Sequence, residues 1–254
     1  GKYFFWDRYN YGLDTHFYGG REMPHTLGKP VVKYGMLTES RVIAPKDYEV
    51  FYKHKGLEKE FRYIFTYDEK ILNEIENARF YPIAAGIWNQ KMKEDLYKKK
   101  EEDLSILCSD KVMCTLHQFR LELARRCKKD RLAHTFGKFD GGSYIQSVDE
   151  SLDRFRFSII IENDISDYYF SERLTSCFAA QTIPVYLGAR KISQFFNPEG
   201  MILLKNADLE VALGAIRQCT KEEYEARLDG VLDNYNRVQE YVNMQDYLYE
   251  HFLQ

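Results

Sequence analysis

The sequence of 254 residues predicts an α/β protein organised as two lobes. In the first third of the chain, short strand-like runs alternate with polar or helical stretches, the pattern of a mixed α/β layer. A mixed charge run, Lys91 to Asp103, then interrupts the apolar pattern and marks a seam between a first lobe over residues 1–100 and a second over 101–254. Beyond that seam, Phe157 to Leu187 reads as strand, polar loop, helix and strand, one complete βαβ unit.

Taken in order, Lys2 to Trp6, Val31 to Leu37 and Phe61 to Tyr67 are the strands expected in the first lobe. Gly19, Gly20, Pro24, Gly28 and Pro30 mark an irregular loop before the second of them. Ile71, Leu72 and Ile75 give Asp68 to Glu76 the spacing of a short amphipathic helix. The seam reads as a solvated connector, because acidic residues interrupt the basic ones and argue against a lipid-binding patch. A strand over Leu104 to Cys108 and a helix from about Leu116 to Cys127 follow, with Arg125 to Lys129 on a surface face. A loop containing Gly137, Gly141 and Gly142 leads towards the central unit. There, Phe157 to Ile161 is apolar and β-branched, as in a strand buried on both faces of a parallel sheet, and it ends at Glu162, Asn163 and Asp164. Ser171 is the expected N-cap of a helix whose apolar positions are Leu174, Cys177, Phe178 and Ala180, and Ile183 to Leu187 is the returning strand. Met201 to Leu204 reads as a further strand, Leu209 to Ile216 as a helix, and the Tyr-rich, proline-free Lys221 to Leu253 as one or two terminal helices.

Composition excludes several function classes. With 44% hydrophobic and 30% charged residues the chain is an ordinary globular protein, and a net charge of -3 lacks the basic footprint of a nucleic-acid binder. The five cysteines are scattered and form no CxxC pair, so free thiols in a reducing compartment are expected, without zinc. No apolar run reaches the roughly 18–20 residues of a membrane span, no signal peptide is visible, and a soluble or peripheral cytoplasmic location is expected. A chain opening on Gly1 is also compatible with a trimmed terminus or an excised domain, whose location is open. His16, His25, His54, His117, His134 and His251 lack metal-ligand spacing. A serine-nucleophile elbow and a P-loop are both absent. The 20 tyrosines and 17 phenylalanines are numerous enough to line a sugar site as well as a core.

The polar residues of the βαβ unit gather at the carboxyl end of its first strand, where open α/β sheets bind ligands, and the following helix start offers free N–H groups to an anion. Glu162-Asn163, then Tyr169-Phe170-Ser171-Glu172-Arg173, then Ile183-Pro184-Val185-Tyr186-Leu187-Gly188 resembles the donor-binding signature of the family 10 glycosyltransferases, the α1,3/α1,4-fucosyltransferases. The family usually carries Thr-Glu-Lys where this chain has Ser171-Glu172-Arg173, a swap that keeps hydroxyl, carboxylate and positive charge.

That resemblance implies two Rossmann-like lobes of GT-B type with a cleft between them, and an inverting transfer of fucose from GDP-fucose to a glycan hydroxyl. It implies that Arg120 and Arg173 hold the diphosphate, that Glu172 meets the ribose, and that Asn163 and Tyr169 lie in the loop facing nucleotide and sugar. Glu162 is either a site carboxylate or a loop-fixing one, and His117 either faces the diphosphate or is an ordinary helix-start histidine. The general base falls on Glu39, because Thr38-Glu39-Ser40-Arg41 follows a strand as the family's Glu-Ser-Pro does, without the proline. With two arginines at the leaving group and no Asp-x-Asp motif in strand context, no cofactor is implied and a metal is not expected to be essential. Two other readings stay open: transfer of a different nucleotide sugar, and a glycan-binding module that has lost turnover.

Overall fold

The computed structural model describes residues 1–82, 86–142 and 144–254. Among the described residues nine strands form two sheets, each wholly parallel. Strands β1 (Thr15–Gly19), β2 (Val32–Leu37), β3 (Tyr63–Thr66) and β4 (Ala78–Phe80) lie side by side in sequence order. Helices α1 (Pro45–Tyr48), α2 (Val50–Lys53) and α3 (Glu69–Glu74) connect them. The second sheet contains β5 (Glu102–Leu107), β6 (His134–Phe136), β7 (Phe155–Ile161), β8 (Ile183–Leu187) and β9 (Ile202–Leu203), in the order β6-β5-β7-β8-β9. Its helices are α4 (Thr115–Asp130), α5 (Asp149–Leu152), α6 (Glu172–Ala179), α7 (Leu209–Ile216), α8 (Lys221–Ala226), α9 (Leu228–Val238) and α10 (Met244–Leu248).

The order of the second sheet reverses direction between β5 and β7. In doubly wound sheets the crevice outside the carboxyl ends of such a strand pair is where ligands bind, because the two flanking connections leave in opposite directions. The residues at those ends are Cys108 and Glu162.

Several boundaries differ from the sequence expectation. Lys2 to Trp6 is not a strand: Phe4 and Trp6 instead pack edge-to-face at 5.2 Å and cover Phe17 of β1. The first strand is Thr15–Gly19, which ends where the glycine- and proline-marked loop begins. Strands β4 and β6, of three residues each, are too short to show a period. The terminal segment breaks into α8, α9, α10 and a π turn over Tyr249–Leu253, because Thr220 and Asn243 each cap a new helix start.

Two apolar layers sandwich each sheet, and one of them belongs to both lobes. Tyr34, Met36, Phe65 and Tyr81 of the first lobe share a core with Leu174, Cys177 and Phe178 of α6 and with Tyr241, Tyr247 and Leu248 near the carboxyl terminus. The terminal segment thus returns to the first sheet: Phe252 lies 5.0 Å from Phe65, and Tyr247 5.6 Å from Tyr81. The connector is pinned as well. Lys100 Nζ is buried and donates to the carbonyls of Leu152 and Ala180 and to Thr182 Oγ1, at 3.1, 2.7 and 2.8 Å.

Burial pushes the Lys100 ammonium down from 10.5 to about 7. Between those values the unfolded chain keeps a proton that the folded chain has released, so stability rises with pH across the window. Urea unfolding from pH 7 to 10 should show this rise in the wild-type chain and a flatter profile in Lys100→Met; parallel profiles would contradict it.

Candidate active site

Because β7 is parallel and central, its carboxyl end opens into the cleft rather than into another strand. Glu162, the first residue beyond it, is fully buried and accepts from the backbone N–H of Ser171 at 2.8 Å and from its hydroxyl at 2.6 Å. Ser171 in turn caps α6, its oxygen accepting from Arg173 N. Burial raises the Glu162 carboxyl, while the Arg173 charge and the Ser171 bonds pull it back. These bonds tie the loop that delivers α6 to the end of β7. Gly188 is part of the same fitting, since a Cβ there would stand 2.5 Å from Glu162 Cγ and 2.4 Å from the Tyr186 hydroxyl.

Asn163 stands on the cleft side. His117 Nδ1 accepts from Met113 N at 3.2 Å, so the ring proton is on Nε2 and is donated to Asn163 Oδ1 at 2.8 Å. Asn163 Nδ2 then reaches the Tyr169 hydroxyl at 3.4 Å. Burial, and after it the charges of Arg120 and Arg173, hold His117 below its ordinary value against the opposing pull of Asn163. A neutral ring is what this chain of bonds requires. The Tyr169 side chain itself is buried, its ring 5.1 Å from Tyr67 of the first lobe.

Arg120 lies on the second turn of α4 and is only 3% exposed. Its Nη1 donates to the carbonyl of Ile161 at 2.9 Å, bridging the switch point between β5 and β7. Burial first, and the Arg173 charge second, lower its pKa. Arg173 sits in the first turn of α6 and is half-buried. Neither guanidinium has an ion-pair partner among the described residues. The two cations act on each other and on the buried Glu162, beside the N-terminus of α6.

The opposite wall comes from the first lobe. Glu39 follows β2 and is exposed; its Oε1 accepts from Ser40 N at 2.7 Å. Its backbone is clamped by Tyr48, whose hydroxyl donates to the Glu39 carbonyl at 2.5 Å, and by Arg41, which donates from its own N–H to Tyr67 and is bound twice by Asp68 at 2.8 Å. The missing proline of the Glu-Ser-Pro pattern is replaced by this arginine clamp. Glu39 is near enough that its charge acts on His117, Tyr169 and Glu172. Glu172 is raised chiefly by burial, with its own backbone N–H and Arg173 opposing. The charges of Glu39, Arg120 and Arg173 thus act together on the His117–Asn163–Tyr169 chain and on its surroundings. Two surface hollows, of about 590 Å³ beside Tyr97 and Tyr235 and about 740 Å³ beside Tyr52 and Lys59, lie elsewhere and contain none of these groups.

Sequence reasoning did not single out Arg41, Asp68 or Tyr48, whose signal was only their closeness to Glu39 or to a strand end. Gly137 was read as loose loop, yet its φ of +98° and a Cβ position 2.0 Å from the Cys108 carbonyl make glycine necessary where the β6 loop crosses the end of β5. Arg125 fixes that loop through Asp140 at 2.7 Å.

Two lobes, each built on a parallel sheet, form the architecture of the GT-B fold. Over residues 97–213 the chain matches the model of the C-terminal region of glycosyltransferase family 10 (fucosyltransferase). None of the curated proteins matches the chain in sequence. Among solved structures, it is similar to an α1,3-fucosyltransferase with GDP, at 17% identity and a TM-score of 0.56, covering 87% of this chain and 69% of that one. A mutant of S. aureus TarM in complex with UDP aligns at 14% identity and 0.57, covering 85% and 49%. An α-glucosyltransferase in complex with UDP and a 13-mer DNA aligns at 10% and 0.61, covering 94% and 79%. No helix among the described residues is long and apolar enough to cross a membrane.

Two outcomes follow from these contacts. The His117 ring should titrate by NMR with a midpoint below 6.5 and in the Nε2–H form; because the unfolded chain then binds the extra proton first, stability falls as pH drops through 6.5. A midpoint above 6.5 would contradict the neutral network. Ser171→Ala removes both the α6 cap and one Glu162 partner, and should cost about 1–3 kcal/mol in chemical denaturation.

Proposed function

We propose that the chain is an inverting fucosyltransferase that moves fucose from GDP-fucose to a hydroxyl of an acceptor glycan. The observation that carries the reading is the pair of uncompensated guanidiniums, Arg120 and Arg173, at the switch point of a second lobe that matches family 10. An α1,3-fucosyltransferase of the same fold has been solved with GDP-fucose, which supports the choice of donor.

In this reading the acceptor oxygen attacks the anomeric carbon from the side of Glu39. Its proton passes to the Glu39 carboxylate, the bond from the anomeric carbon to the phosphate oxygen breaks, and the electron pair leaves with the β-phosphate. Attack opposite the leaving group inverts the centre. Arg120, Arg173 and the first-turn N–H groups of α6 stabilise the charge that develops on the diphosphate. Two cations and a helix end supply what a divalent ion would, so turnover is expected to withstand a chelator. Glu172 is assigned to the ribose, and Asn163, held by neutral His117, to the donor. The five free thiols fit a reducing compartment.

Calorimetric titration with GDP, UDP, CDP and dTDP, with and without chelator, tests the donor. Selective, chelator-insensitive binding of GDP is expected; preference for another nucleotide would change the sugar, and binding of none would favour a non-catalytic module. Glu39→Gln should keep donor affinity and lose about 10²–10⁴-fold in kcat, whereas Arg173→Ala should weaken donor binding itself. Normal turnover in both would overturn the assignment.

A further inference from the structure

Arg173, like Arg62 and Arg79, lies against an aromatic ring and has no ion-pair partner among the described residues. Arg41, Arg125, Arg154, Arg156 and Arg190 are each fixed by a carboxylate within 3 Å, whereas Arg173 faces an aromatic ring: its Cζ lies 5.4 Å from the centroid of Trp88. That tryptophan lies on the segment leading from β4 into the connector and is 47% exposed. Its backbone is nevertheless firmly seated. Trp88 N donates to Ser176 Oγ at 2.8 Å, and the carbonyl of Gly86 accepts from Thr175 Oγ1 at 2.7 Å, so the connector is bonded to α6 within one turn of Arg173.

An indole face attracts a guanidinium through its quadrupole and leaves the positive charge intact. A carboxylate in the same place would orient the side chain equally well, but it would neutralise the charge and compete with a phosphate. The planar guanidinium can lie against the ring and still present its N–H fork, which a lysine ammonium, a compact point charge, does less well. We propose that Trp88 is a positioning residue of the donor site: it aims Arg173 at the diphosphate, and it is the reason this chain has Ser171-Glu172-Arg173 where the family pattern has Thr-Glu-Lys. The inference rests on the assignment of Arg173 to the diphosphate made above. It extends the site across the lobe boundary, since the connector then contributes to donor affinity without touching the donor's reacting atoms.

The test uses GDP and GMP as probes and compares wild type, Trp88→Phe and Trp88→Ala by calorimetry, with thermal unfolding alongside. Trp88→Ala should weaken GDP binding by about 3- to 30-fold and leave GMP binding nearly unchanged, so that the preference for GDP over GMP shrinks. Trp88→Phe should restore most of that preference. In Trp6→Phe, where Trp88 is the remaining indole, GDP should change the fluorescence more than GMP does. Equal losses for GDP and GMP would make Trp88 merely structural, and unchanged GDP binding in Trp88→Ala would overturn its role while leaving the functional reading intact. If wild type bound neither nucleotide, the assignment of Arg173 would fall and this inference with it.

Discussion

The packing of α6 against both sheets at once sets the rest of the structure. Leu174, Cys177 and Phe178 are buried in a core that also contains Phe65 and Tyr81 of the first lobe. A helix held on so many sides has one free end, and the cap formed by Ser171 and Glu162 turns that end into the cleft. Removing such a helix from either lobe would expose apolar surface at a cost of roughly 25 cal/mol per Å². The relative placement of the two walls is therefore a property of the core and not of the surface ion pairs. Lys191, 3.9 Å from Glu69 and exposed, adds little to it.

The site divides its work between groups that keep charge and groups that hold geometry. Arg120 and Arg173 remain uncompensated. Around them, Glu162 fixes the loop, neutral His117 fixes Asn163, and Arg41 spends its own charge on Asp68 to fix the backbone of Glu39.

Much of this was legible in the sequence, and the parts that were not share a physical cause. Strand β8 and helix α7 fall where their apolar runs predict, residue for residue, and β7 extends its run by two residues. A strand buried on both faces carries a continuous signal, and Ser171 announces a helix start. Strands β4 and β6, three residues long, contain less than two periods of anything. Lys2 to Trp6 has strand-like composition, but its aromatics cover the edge of a sheet rather than join it. Glu162 looked ambiguous because its partner lies nine residues on and becomes visible only when the loop is folded. Trp88 carried no signal: the helix that explains it begins more than 80 residues later.

The return of the chain to the first sheet has a consequence for the order of events during synthesis. Tyr34, Phe65 and Tyr81 leave the ribosome early, yet the residues that cover them include Tyr241, Tyr247, Leu248 and Phe252. At about 5–20 residues per second, that face stays bare for roughly ten seconds or longer while the second lobe is made. Half-made chains thus carry a sticky, uncovered layer and no finished cleft, and a nascent chain of this kind is a natural client for chaperones that shield apolar surface until translation has passed Phe252.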